Sequence, residues 1–195
     1  MSEEENLLSP CQRRRLFRGG VIKFEETKLK GAFLIESERF DDERGFFART
    51  FCVEEFKNQG IPFPVAQCNL SFSPKKGTLR GMHFQIVPHE EAKLVRCVRG
   101  AIYDVALDLR VDSKTFKQWI AVELTGENHK SLYLPEGFAH GLQTLEDETE
   151  VFYQMSESYH PESARGFRWN DPAFGIVWPN DVTVISERDQ QYPMF

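Results

Sequence analysis

Five side chains in this sequence are of types that move protons, and each sits where its neighbours restrict it. Gly77-Thr-Leu-Arg-Gly-Met-His83-Phe-Gln85 reads as a strand, so alternation puts His83 and Gln85 on one face. A histidine turned inward on such a face is a tunable base; the alternative is a hydrogen-bonded core histidine. Lys93 follows Glu90 and Glu91 and leads an apolar strand. Facing an interior it requires an anionic partner or the neutral amine; facing out it is a solvated strand end. Tyr153, in Glu150-Val-Phe-Tyr-Gln-Met, could deliver a phenolic proton or be a core tyrosine with a bonded hydroxyl. Asp171 precedes Pro172, which holds its backbone extended. A carboxylate fixed in this way can accept a histidine ring N–H and orient the ring; the alternative is a turn aspartate. A second histidine, His140, closes Pro135-Glu-Gly-Phe-Ala-His140.

Four arginines, Arg44, Arg80, Arg165 and Arg168, stand beside glycine or tryptophan. Guanidinium groups suit bidentate recognition of a diphosphate, or they are scattered surface charges. Neither G-x-G-x-x-G nor G-x-x-x-x-G-K-[ST] occurs, so any phosphate would be held by side chains.

The elements that must position these groups read as β-strands. Short apolar or β-branched runs predict strands at 31–36, 46–51, 66–73, 78–85, 93–99, 101–108, 119–124, 131–134, 141–144 and 150–156. Turn signals such as Pro74-Lys-Lys-Gly77 and Thr125-Gly-Glu-Asn128 separate them. A short amphipathic helix is expected over 53–59, stopped by Gly60 and Pro62. Many short strands with regular turns point to a sandwich or barrel. Residues 1–20 read as a flexible extension, 21–180 as the single domain and 181–195 as a C-terminal tail.

The chain of 195 residues is 41% hydrophobic with 17 Phe, enough for a sizeable core. A formal charge of −6 argues against non-specific binding to nucleic acid or an anionic membrane. No apolar run approaches the roughly 20 residues of a membrane span. The acidic start lacks the features of a signal peptide, and Cys11, Cys52, Cys68 and Cys97 form no C-x-x-C pair. Both features lead to the expectation of a cytoplasmic protein with reduced thiols.

The stretch from Gly77 to Gly100 and the P-x-G-x-x-H run at 135–140 resemble the two motifs of the cupin β-barrels. Metal-binding cupins carry a second histidine two residues after the first and a glutamate further on. Gln85 and the run ending in Lys93 stand in those places, and neither side chain is a good donor to a divalent cation. No metal and no cofactor are therefore expected in that pocket.

The ordered set Arg44-Gly-Phe-Phe47, Gln67-Cys-Asn69, Leu79 to Gln85, Lys93-Leu-Val-Arg, Pro135 to Gly141, Tyr153, Tyr159-His-Pro-Glu162, Arg165-Gly and Arg168-Trp-Asn-Asp-Pro172 closely resembles the dTDP-4-dehydrorhamnose 3,5-epimerase family over about 21–178. That resemblance implies an all-β, cupin-type jelly roll in a strand-exchanged homodimer acting on a nucleotide-diphosphate sugar. It implies His83 as base, Asp171 as its orienting acid, Tyr153 as proton donor and Lys93 as the group facing the C4 oxygen. Gln67, Asn69, Arg80, His140, Glu162 and Arg168 would line the substrate site, and Arg44 and Phe47 would reach a neighbouring subunit's site. One departure is Arg49, where the family often has a glutamate at the nucleotide end. This leaves the base of the nucleotide open.

The expected activity is inversion of C3, C5 or both in a nucleotide-linked 4-keto-6-deoxyhexose through an enolate. A single-carbon epimerase, a 3,4-ketoisomerase of the same pocket and a non-catalytic sugar-binding cupin are the alternatives.

Overall fold

The computed structural model describes residues 21–195. The extension expected at 1–20 lies outside the described residues. The strands are β1 (Ile22–Glu26), β2 (Phe33–Ser37), β3 (Arg39–Asp42), β4 (Gly45–Ala48), β5 (Gln67–Ser73), β6 (Thr78–Gln85), β7 (Lys93–Arg99), β8 (Ala101–Asp108), β9 (Trp119–Thr125), β10 (Lys130–Leu134), β11 (Phe138–Thr144), β12 (Thr149–Met155), β13 (Ala164–Gly166) and β14 (Val184–Ile185). Among the described residues, two short helices, α1 (Val53–Asn58) and α2 (Glu187–Gln191), complete the set.

Eight strands form two facing four-stranded layers, β10-β7-β12-β5 and β9-β8-β11-β6. From β5 to β12 the chain changes layer at every connection except the β8–β9 hairpin, in the order of a jelly roll. β1 and β2 extend the first layer beyond β10; β13 and the parallel β14 flank β6 in the second. β3 and β4 form a separate hairpin.

Strand alternation explains the core. Val95, Cys97, Leu132 and Val151 of the first sheet pack against Ile102, Ala106, Leu124 and Leu142 of the second. Many of the intervening residues are covered as well. Leu94 and Tyr133 pack under α1 with Phe56 and Phe63, while Met82, Val105 and Leu107 are covered by Phe167 and Phe174. Burial on both faces is why β8 is almost wholly buried, although its alternation reads as a half-buried strand. Cys97 is a free buried thiol whose pKa burial pushes up to about 11.

β5 inverts the usual pattern. Gln67, Asn69, Ser71 and Ser73 take the partly or fully buried positions, whereas Leu70 and Phe72 are 64% and 49% exposed. Between the layers the interior is therefore polar at the β5 side and apolar towards β9.

One irregularity lies within the polar end. β11 pairs with β6 as His140 opposite His83, then Leu142 opposite Arg80, so β6 carries one extra residue. Gly81 sits at this bulge with φ of +134°, a conformation L side chains rarely adopt. A Cβ there would stand 2.5 Å from the Gly141 backbone. The bulge breaks simple alternation and lets Arg80 and His83, three residues apart, line one cavity. Gly81→Ala is expected to destabilise the protein by about 2–4 kcal/mol from backbone strain and strand clash together. Urea unfolding checks this; a loss under about 0.5 kcal/mol would contradict the close approach.

Candidate active site

The polar end of the sandwich is built from side chains on facing strands. His83 of β6 donates from Nε2 to Asp189 Oδ1 at 2.7 Å. A carboxylate only accepts, so Nε2 carries the proton and Nδ1 is the basic nitrogen of the neutral ring. Asp189 comes from α2, whose first turn is capped by Ser186: the Asp189 amide donates to Ser186 Oγ at 3.1 Å. The second carboxylate oxygen accepts the Gly81 amide at 3.3 Å. Burial of Asp189 pushes its pKa up, but the bonds from His83 and Gly81 outweigh this and hold it below the ordinary carboxylate range.

Across the gap, Lys93 of β7 and Tyr153 of β12 point inward with Val95 and Val151, as their parity requires. Lys93 is 8% exposed and pairs with Glu91, 7% exposed, at 2.8 Å. The anionic partner that an inward lysine requires is therefore its own neighbour two residues back. Glu91 Oε2 is buried with no hydrogen-bond partner among the described residues. Burial raises the Tyr153 pKa, with Arg80 opposing in part, so the phenol keeps its proton at neutral pH.

Two adjoining cavities of about 430 and 360 Å³ share His83, Lys93, Tyr153 and Arg188. The larger is also lined by Ser71, Arg80, His140 and Asp189. The smaller is lined by Gln67, Asn69, Gln85, Glu91, Tyr159, Arg165 and Tyr192. Arg80 is steadied by bonds to Ser73 Oγ and the Phe72 carbonyl. Gln67 donates to Asn69 and accepts the Tyr159 amide. A second histidine–carboxylate pair lies beside the first. His140, directly opposite His83 in the ladder, donates to the fully buried Asp104 of β8 at 2.7 Å.

The structure brings together His83, Lys93, Tyr153, Arg80, Gln67, Asn69 and His140, but not Asp171. Asp171 accepts the amides of Ala173 at 2.8 Å and Phe195 at 2.6 Å. It anchors the end of the chain, where Phe195 packs on Phe167 and Phe174. The acid at His83 is Asp189, which belongs to the segment read as a tail. Residues 181–195 are instead part of the folded unit through β14 and α2. The available signal was Ser186-Glu-Arg-Asp189, an S-x-x-D helix start. Asp104, Arg188 and Tyr192 stand at the site with no motif to mark them, and Glu91, one of the two acids before Lys93, is the lysine's partner.

Arg168 and Glu162 line neither cavity; Glu162 accepts from His160 Nδ1 instead. Arg44 and Phe47 lie on the exposed β3–β4 hairpin, with Arg44 paired to Asp42 and Phe47 57% exposed. Arg49 donates to the buried Glu55 at 2.7 Å, and Glu55 also accepts the Ile22 amide. Its charge is thus engaged within the chain.

A family model described as dTDP-4-dehydrorhamnose 3,5-epimerase matches residues 26–195. A protein of that name from Methanothermobacter thermautotrophicus is 44% identical over 174 residues, spanning 88% of this chain and 93% of its own. The crystal structure of dTDP-4-dehydrorhamnose 3,5-epimerase from Bacillus anthracis, with TDP and PPi bound, superposes with a TM-score of 0.87 at 40% identity, covering 89% of this chain and 99% of that one. A 3'-monoepimerase from Streptomyces bikiniensis, in complex with dTDP-quinovose, gives a TM-score of 0.81 at 35% identity over 87% of this chain and 86% of its own.

Because the folded pKa of Asp189 lies below its unfolded value, its stabilisation is present above the ordinary carboxylate range. It is lost as pH falls through the depressed value. Asp189→Asn is therefore expected to flatten the loss of stability on acidification below about pH 4. Chemical denaturation across that range checks this; an unchanged pH slope in the variant would contradict the pairing.

Proposed function

The chain belongs to the dTDP-4-dehydrorhamnose 3,5-epimerase family, and from that premise we propose that it inverts C3, C5 or both of a dTDP-linked 4-keto-6-deoxyhexose through an enolate. The observation that carries the proposal is one cavity with a carboxylate-oriented histidine on one sheet and a protonated tyrosine beside a buried lysine on the other.

The C4 ketone acidifies the hydrogens on its neighbouring carbons. Nδ1 of His83 takes a proton from C3 or C5, and the C–H electron pair moves into the ring to leave negative charge on O4. Asp189 keeps the Nε2 proton in place and stabilises the imidazolium that forms. The Lys93 ammonium lies in the same cavity and is suited to hold the O4 charge. The Tyr153 phenol returns a proton to carbon from the face opposite His83, which inverts the centre. His83 then gives up its proton and Tyr153 regains one, so the cycle closes without net change in protons.

Arg80, Arg165 and Arg188 line the joined cavities and are the arginines placed to meet a diphosphate. Gln67 and Asn69 supply further polar contacts to the substrate. The β3–β4 hairpin presents Arg44, Phe46 and Phe47 outward, consistent with a homodimer in which the hairpin completes a neighbour's site. A cytoplasmic location accords with a soluble nucleotide-sugar substrate.

Within that proposal, double inversion and inversion at C3 alone are distinct outcomes, and the likeness to a 3'-monoepimerase supports the latter. Incubation with a dTDP-4-keto-6-deoxyhexose in D₂O separates the two: deuterium at C3 and C5 is expected for the double epimerase, at C3 only for the other. His83→Ala should slow exchange by roughly 10²–10⁴-fold. Exchange left intact in that variant would remove His83 from the role of base.

A further inference from the structure

Outside the cavity, two histidines and a glutamate converge where the loop after β6 meets the loop after β12. The rings of His89 and His160 stack with centroids 3.5 Å apart and planes 8° from parallel. One nitrogen from each ring and a Glu157 carboxylate oxygen all lie within 4.8 Å of one another. Each of the three residues is half-buried. We propose that His89, Glu157 and His160 form a binding site for a divalent transition cation of the Zn²⁺ class.

Two observations support this beyond proximity. First, His160 Nδ1 lies 3.1 Å from Glu162 Oε1. A carboxylate accepts only, so Nδ1 carries the proton and Nε2 keeps its lone pair on the side of Glu157, 3.7 Å away. A carboxylate on the far nitrogen is the outer-shell arrangement that orients metal-bound imidazoles. Second, the two loops are already fastened. The buried Gln85 amide donates to the carbonyls of His89 and Ser158 and accepts the His160 amide at 2.6 Å. Gln85, a poor ligand itself, serves here to hold the two histidines in register.

Two imidazoles and one carboxylate leave a fourth tetrahedral position for water. Zn–N and Zn–O bonds of about 2.0–2.2 Å place ligand atoms about 3.3 Å apart, and because each lone pair lies in its ring plane, one of the two stacked rings must turn out of the stack for both to meet one cation. Gln85 and Tyr159, neighbours of the site, line the smaller cavity, so a bound cation would cross-link that cavity's wall. This inference stands independently of the proposed reaction.

The test is calorimetric titration of the full, tag-free chain with Zn²⁺ at pH 7.5 and 5.5, with bound metal measured after dialysis. One equivalent is expected at pH 7.5, weakened at least tenfold at pH 5.5 as protons compete for the imidazoles. His89→Ala and Glu157→Gln should each weaken binding at least tenfold, while His83→Ala retains it. Glu157→Gln, which keeps side-chain volume, serves if His89→Ala does not fold. Absence of a bound equivalent in the wild type, wild-type titration in the folded variants, or loss of binding in His83→Ala would each overturn the site.

Discussion

Removing a charge from water costs several kcal/mol unless a partner takes its place, and this constraint organises the polar end of the sandwich. Three ionisable pairs sit between or beside the sheets: His83 with Asp189, His140 with Asp104, and Lys93 with Glu91. In each, the carboxylate is under 8% exposed, so the pairing decides where the basic partner points. For the two histidines the acid also selects the tautomer, because a carboxylate can only accept. The orientation of the basic groups is therefore set before any ligand enters, which is what preorganised proton transfer requires.

The architecture that meets this constraint draws on residues far apart in the chain. Asp189 reaches His83 from 106 positions away, carried by α2 after β14 has paired in parallel with β6. The same closing segment is pinned by Asp171, which accepts the Phe195 amide, and by the Phe167, Phe174 and Phe195 cluster on the outer face. Two aspartates thus share the work of holding the chain end: Asp171 as an anchor for the backbone, Asp189 as the contact to the base. The docked C-terminal segment is thus what supplies the acid to His83.

Much of the fold is legible without coordinates. The strands at 78–85, 93–99 and 101–108 have the expected bounds, because β-branched runs between Gly and Pro turns leave little alternative. The second histidine motif extends further than expected, since β11 begins at Phe138 and carries His140 in the ladder. The unread elements, β1, β3, β13, β14 and α2, are at most five residues long. Such pieces lack enough repeats for a period to show and exist because a neighbouring strand or ring covers them.

By itself the sequence determined the kinds of group present and, within each regular strand, which of them share a face. His83 with Gln85, and Lys93 with Val95, follow from a period of two. It also determined the family, because motif order survives where single residues are ambiguous. Only the tertiary structure decided which acid meets which histidine, that a bulge at Gly81 brings Arg80 to the side of His83, and that Arg49 is bound to Glu55. The physical reason is range. Alternation links residues a few positions apart, whereas a hydrogen bond is won or lost over about 1 Å between groups that long-range packing alone brings together.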